Sequence, residues 1–133
     1  MSEFRLKIGL DLPINGIPQQ TIHEGATPKS VAVVGSDHNG LKPRMLVVEG
    51  DEVVRGTPLF SHKEAPNVMF VSPCKGRVRG VMRGARRVLQ SVIIDVDDID
   101  DKGVNFGAIG SDGFQRDKVK KILFDSGLWT SFL

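Results

Sequence analysis

Tyrosine is absent from this chain, cysteine and tryptophan occur once each, and no apolar run nears the length of a membrane crossing. A single cysteine, Cys74, cannot form an internal disulfide, which fits a reducing compartment. Its place in a turn predicts a small packed or half-exposed thiol, and a nucleophilic role needs a histidine that the sequence does not put beside it. His23, His38 and His62 are scattered with no close Cys or His partner, which argues against a metal site. No glycine-rich loop opens a helix, so a nucleotide fold is not expected. A spanning helix needs about 20 apolar residues, and none is present. The N-terminus mixes Glu3, Arg5, Lys7 and Asp11 into its apolar residues, so it carries no signal-peptide core. The chain by itself is expected to be soluble and to meet a membrane only through a partner or a surface patch.

What is present is one domain's worth of residues, 133, enough to bury a core without staples. The net charge of +2 is too small to imply nucleic acid. Its distribution is uneven. Lys75, Arg77, Arg79, Arg83, Arg86 and Arg87 crowd a stretch that has no acid from Ala65 to Ile94, and acids crowd DVDDIDD at 95–101. On a strand Lys75, Arg77 and Arg79 share one face, with Gly76, Val78 and Gly80 opposite. Arg83, Arg86 and Arg87 follow around Gly84. Two readings compete: a solvated face balanced by the acids, and a docking surface for an acidic partner or anionic lipid heads. Nucleic acid is not expected as a partner, because no aromatic stands between Phe70 and Phe106 to stack on bases. The acids at 95–101 do not fit a calcium loop, since position 106 is Phe rather than Glu. They read as a solvated loop after a strand.

Glycine and proline punctuate the rest. Residues 1–30 are loop-rich. SVAVVG (30–35) reads as a buried strand, 36–43 as turn, and 45–60 as strand, turn, strand. HKEAPN (62–67) reads as a turn bending at Pro66 and Asn67. VMFVS (68–72), RVRGV (77–81) and LQSVIIDV (89–96) read as strands, with a turn at SPCKG (72–76). Short strands at this spacing predict a mainly β sandwich or barrel. The glycines of Val47-x-x-Gly50 and Val81-x-x-Gly84 rhyme weakly and suggest tight turns at positive φ. A C-terminal helix is expected from about Gly113 to Ser126, capped by Ser111 or Asp112, with Phe114, Val119, Ile122 and Leu123 on one stripe and Gly127 at its end. Residues 1–104 are expected to form the β domain and 105–133 a helical segment opening a following region. Trp129, Phe132 and Leu133 call for burial, so the chain is expected to be the N-terminal piece of a longer protein, the alternative being a C-terminus that folds back onto the core.

The β region resembles the barrel-sandwich hybrid of lipoyl and biotinyl domains. Lys63 stands near the place of the modified lysine there, but SHKEAP lacks the Met-Lys-Met or Asp-Lys-Ala setting, and a solvated turn residue is the plainer reading. The chain in its full extent resembles the N-terminal part of the A subunit of bacterial Na+-translocating NADH:quinone reductases. GLDLPINGIPQQTI (9–22), SVAVVGSDHNGLKPRMLVVEGDEV (30–53), GTPLFSHKEAPNVMFVSPCKGRVRGVMRGARRVLQSVIIDV (56–96) and SGLWTSF (126–132) carry it, RGARRVLQSV most specifically. Cys74 departs from the small residues such as Ala that are usual there, SDHN falls in a turn the family varies, and the family's later domains are not part of this stretch. The resemblance implies a barrel-sandwich domain like that of the Rnf C subunit. It implies a peripheral subunit on the cytoplasmic side of the bacterial inner membrane, in a complex that oxidises NADH through flavins and an iron–sulfur centre, reduces ubiquinone and exports sodium. The residues themselves offer no catalytic, cofactor or metal set in this stretch, and the resemblance implies other subunits as partners, quinone contact through the full-length subunit, and the six basic residues as contacts to a partner or the membrane surface. A carrier domain modified on Lys63 and a component of an Rnf-type complex are the alternatives.

Overall fold

The computed structural model describes residues 16–98, 101–108, 110 and 115–132. Among these, the chain forms two antiparallel sheets. One runs β1 (Ser30–Val34), β7 (Leu89–Asp98), β6 (Lys75–Arg83), β3 (Glu52–Val53), and the other runs β2 (Pro43–Met45), β4 (Pro58–His62), β5 (Ala65–Val71). One helix, α1 (Arg116–Asp125), follows. The expected mainly β architecture with a C-terminal helix is therefore present.

The core sits between the sheets. Leu59 and Phe60 of β4, Val78 of β6 and Val92 and Ile94 of β7 are almost wholly buried, joined by Val53, Val68, Phe70, Cys74 and Leu89. Phe60 stacks on Phe70 with centroids 4.6 Å apart, and the edge of His38 meets Phe70 at the same distance. Each large side chain buried here contributes about 1.5–3 kcal/mol relative to exposure. Backbone hydrogen bonds join the segments around β4: Gly56 N–H to Ser72 O at 2.8 Å, Ser72 N–H to Thr57 O at 2.8 Å and Leu46 N–H to Leu59 O at 2.9 Å.

Several sequence expectations need correction. The turn at 62–67 is only Lys63–Glu64, and Pro66 and Asn67 lie in β5. β5 is the sheet's last strand, where proline's missing N–H costs no ladder bond. A register shift between Ser61 and His62 absorbs the extra residues on β5. Lys75 and Gly76 belong to β6, not to the turn before it, and β7 runs to Asp98. Residues 45–60 hold only the end of β2, then β3 and the start of β4. The rhyme of Gly50 with Gly84 is not structural. Gly50 has φ +92° and turns the chain, whereas Gly84 has φ −93°.

The C-terminal helix is shorter than expected. Gln115 is extended, at φ −105° and ψ 131°, and precedes a helix that starts at Arg116. Ser111–Phe114, the expected cap and stripe residue among them, lie outside the described residues, as do Asp100 and Leu133. Gly127 ends the helix at φ +76°, as its placement predicted. A Cβ on Gly127 would lie 3.2 Å from the Met69 carbonyl oxygen, so the helix end rests on β5. Val119, Ile122 and Leu123 are half-buried, but the residues that reach the core are Phe124 and Trp129, with centroids 4.5 Å apart.

Candidate functional site

The strand β6 alternates as its spacing predicts. Lys75, Arg77 and Arg79 are exposed, and Gly76, Val78 and Gly80 are buried. The structure then divides the six basic residues into two groups. Arg77 Nη2 lies 2.8 Å from Glu52 Oε1 on β3. Arg79 pairs with Asp95 on β7, and the hydrogen bond and charge of that carboxylate push the guanidinium pKa up. Lys75 faces Asp98 across the ladder and shares a shallow cleft with Glu52 and Asp97. These three cations have carboxylates close by. Exposed pairs of this kind contribute about 0–1 kcal/mol each, and their field on an outside anion is largely cancelled.

Arg83, Arg86 and Arg87 form the second group, at the tip where β6 turns into β7. All three are exposed, and among the described residues none has a carboxylate within ion-pair reach. Arg83 Nη1 donates to the carbonyl of Arg87 at 3.2 Å, which holds one guanidinium over the turn. Val88 N–H donates to Ala85 O at 3.2 Å and closes a reverse turn whose two central residues are Arg86 and Arg87. Arg86 has φ 54° and ψ 25°, and Arg87 has φ 61°. That is the hairpin turn for which Asn-Gly is the favoured pair, because both positions are left-handed. Side chains with a Cβ resist it by about 1–2 kcal/mol per residue. The glycine of this loop, Gly84, precedes the strained pair and does not occupy it.

Two apolar residues flank the tip arginines and are not legible as exposed from the strand's alternation. Parity along β6 points Met82 inward with Val78 and Gly80. The ladder shifts register between Val78 and Gly80, opposite Ile94 and Ile93, so the parity flips and Met82 is 48% exposed. Val88 is 62% exposed. The tip is therefore cationic and apolar together, a composition suited to a protein or headgroup surface.

The remaining expected residues fall elsewhere. Lys63 is at the β4–β5 hairpin tip, where its backbone N–H donates to Lys42 O at 2.7 Å and its side chain is exposed. Glu64 beside it is ion-paired with Lys42, whose hydrogen bond and charge hold the carboxyl below its ordinary pKa. The acidic run is not the solvated loop expected of it. Asp95, Asp97 and Asp98 lie on β7, and Asp101 accepts from the Arg55 N–H at 3.3 Å with its side chain only 9% exposed. Among the described residues, no group of three or more His, Cys, Asp and Glu lies close enough to hold a metal ion. No helix among them is long and apolar enough to cross a membrane.

Cys74 is 1% exposed, so the packed alternative holds over the half-exposed one. Ser72 Oγ donates to its carbonyl at 2.7 Å. Burial pushes the thiol pKa up, Asp101 adds to this and Arg55 opposes it. A raised thiol pKa lowers stability only in the alkaline range, because the unfolded thiol ionises first as pH rises. A disulfide reagent at mildly alkaline pH is expected to leave the folded domain unlabelled and to react fully once urea unfolds it. Rapid labelling of the native protein would mean that Cys74 is accessible.

Comparison with known proteins accounts for the architecture. Residues 4–97 match the model of the NqrA N-terminal barrel-sandwich hybrid domain. Relatives include the A subunit of the Na+-translocating NADH-quinone reductase of Photorhabdus laumondii, 44% identical over 130 residues, covering 96% of this chain and 29% of that protein. The same subunit of Alcanivorax borkumensis is 46% identical over 129 residues, covering 95% and 29%. That of Vibrio alginolyticus is 46% identical over 127 residues, covering 95% and 28%. The chain thus spans less than a third of the length of these relatives. With a family model over most of its length and two antiparallel sheets, the chain belongs to the NqrA N-terminal barrel-sandwich hybrid domain family.

Proposed function

We propose that this domain is the N-terminal part of a peripheral subunit on the cytoplasmic side of a bacterial membrane complex that couples NADH oxidation and ubiquinone reduction to sodium export. Within it the domain acts as an assembly module. NADH, flavin, iron–sulfur and quinone chemistry belongs to other parts of that complex. The relatives' name, the A subunit of a Na+-translocating NADH-quinone reductase, supports the setting. The observation that carries the docking role is the tip: three exposed arginines without carboxylate partners among the described residues, on a turn whose geometry disfavours them. Strained backbone persists where the surrounding structure holds it and where it serves a function. Each basic residue near an anionic surface contributes about 1 kcal/mol. Lys75, Arg77 and Arg79 extend the same strand and contribute less, because their charges are matched locally.

The test is charge reversal in the full-length subunit. Arg83→Glu, Arg86→Glu and Arg87→Glu together are expected to abolish co-purification with the other subunits while leaving the circular dichroism spectrum of the domain unchanged. The same triple reversal at Lys75, Arg77 and Arg79 is expected to weaken assembly less. A complex that assembles normally with all three tip charges reversed removes the docking role. Intact mass of the same purified subunit separates the assembly reading from a carrier: a lipoyl or biotinyl adduct on Lys63 would favour the carrier.

A further inference from the structure

The helix α1 carries Val119, Ile122, Leu123 and Phe124, yet none of its 10 residues is fully buried. Its sides divide by what they face. Asp117, Lys120 and Phe124 share a cleft with Asn67 and Met69 of β5. Lys118, Ile122 and Asp125 share another with Asn105 and Phe106. Val119 and Leu123, one helical turn apart, lie together on the third side. They line neither cleft and are not among the half-buried residues packed on the core. Leu128 and Phe132, in the short helical turn Leu128–Phe132 that follows, are exposed. A helix this short is marginal in water and is held by the packing of its apolar side. Among the described residues of this region, only Phe124 and Trp129 pack on the core.

We infer that the side of α1 marked by Val119 and Leu123, with Leu128 and Phe132 beyond its C-terminal end, seats an apolar face of the polypeptide that follows in the full-length subunit. The inference rests on the chain being part of such a subunit and is independent of the arginine tip. Two observations select this occupant. The family model ends at residue 97, so α1 lies outside the β domain it describes. The chain also spans less than a third of the related subunits, which leaves ample polypeptide to cover the helix. The size of the face argues the same way. A helix of 10 residues is about 15 Å long and about 10 Å across, so one side offers on the order of 150 Å2. A stable contact between separate molecules needs about 800 Å2 from each. A tethered partner needs far less, because the linkage supplies a high effective concentration and removes most of the cost of association. A second copy of the chain meeting this face has no such help.

The experiment uses the full-length subunit purified apart from the other subunits, with and without Val119→Asp and Leu123→Asp together, and follows hydrogen exchange by mass spectrometry. The expected result is exchange about tenfold faster in α1 and in at least one segment beyond residue 133, with β6 and β7 unchanged. A change confined to α1, a change that spreads to β6 and β7, or no change overturns the inference, because the stripe then contacts nothing that follows or supports the β domain instead. Benzoylphenylalanine at Leu123 identifies the occupant. A photo-adduct of monomeric mass that joins position 123 to a segment beyond residue 133 supports the inference. An adduct between two copies, a phospholipid adduct, an adduct formed only with another subunit in the assembled complex, or no adduct overturns it.

Discussion

Replacing Gly76 by alanine is expected to cost the domain about 3 kcal/mol, which lowers the melting temperature by on the order of 10 °C. The added methyl would sit 1.9 Å from the carbonyl oxygen of Asp95 and 3.0 Å from Ile94 Cγ2. Backbone occupies the first position, so no rotamer change relieves it. The β6–β7 pair must part, and that pair forms the centre of the larger sheet, with Val78, Val92 and Ile94 packed beneath it. Gly80 is the internal control. It lies on the same strand and is also buried, yet a Cβ there meets only Met82 Sδ at 3.9 Å. Gly80→Ala is therefore expected to change stability by less than about 1 kcal/mol, with reduced unfolded-state entropy working in its favour. Urea unfolding followed by far-ultraviolet circular dichroism measures both. Equal losses would show that strand glycine content, and not the approach to Asp95, sets the cost.

Converting Arg86-Arg87 to Asn-Gly is expected to stabilise the isolated domain while dispersing the complex. The turn is left-handed at both positions, φ 54° and 61°; glycine at 87 removes the Cβ clash, and asparagine at 86 tolerates the left-handed region because its short side chain bonds locally. Relief of about 1–2 kcal/mol is expected, a rise of several degrees in melting temperature. The backbone bonds that close the turn, Val88 N–H to Ala85 O at 3.2 Å and Gly84 N–H to Val88 O at 2.8 Å, are available to either sequence. What the swap removes is two of the three uncompensated tip cations. Thermal unfolding and co-purification from membranes are to be run on the same variant. A more stable domain that still assembles would mean the strain serves something other than docking. An unchanged melting temperature would mean the left-handed arginines carry no strain.

The parity of β6 was readable in its residues, because a strand presents every second side chain to one side whatever it pairs with. That placed Lys75, Arg77 and Arg79 outward and Val78 inward. It failed at Met82, since a bulge depends on the neighbouring strand and leaves no local signal. Pro66 misled for a related reason: a strand excludes proline where its N–H would face a neighbour, and at an unpaired position of the last strand it does not. Phe124 was missed on α1 because the stripe was read through Val119, Ile122 and Leu123, and which edge of that stripe meets the core is set by how the helix packs. The basic cluster was visible as a cluster, but its division was not, because a cation's partners are chosen by register.

By itself, then, the sequence determined what local chemistry dictates. The run of short β segments, the outward arginines of β6, the glycine that ends the helix and the segments that mark the family are all carried by residue type and spacing. The tertiary structure alone decided what distance in the chain conceals. Arg77 meets Glu52, Arg79 meets Asp95, and Arg55 meets Asp101 because sheet pairing and loop closure bring them together. Gly76 and Gly35 are needed because another backbone passes over each of them. Cys74 is buried because two sheets close on it. Each of these follows from contacts between residues far apart in sequence, which are specified collectively by the packed core and by no single stretch of it.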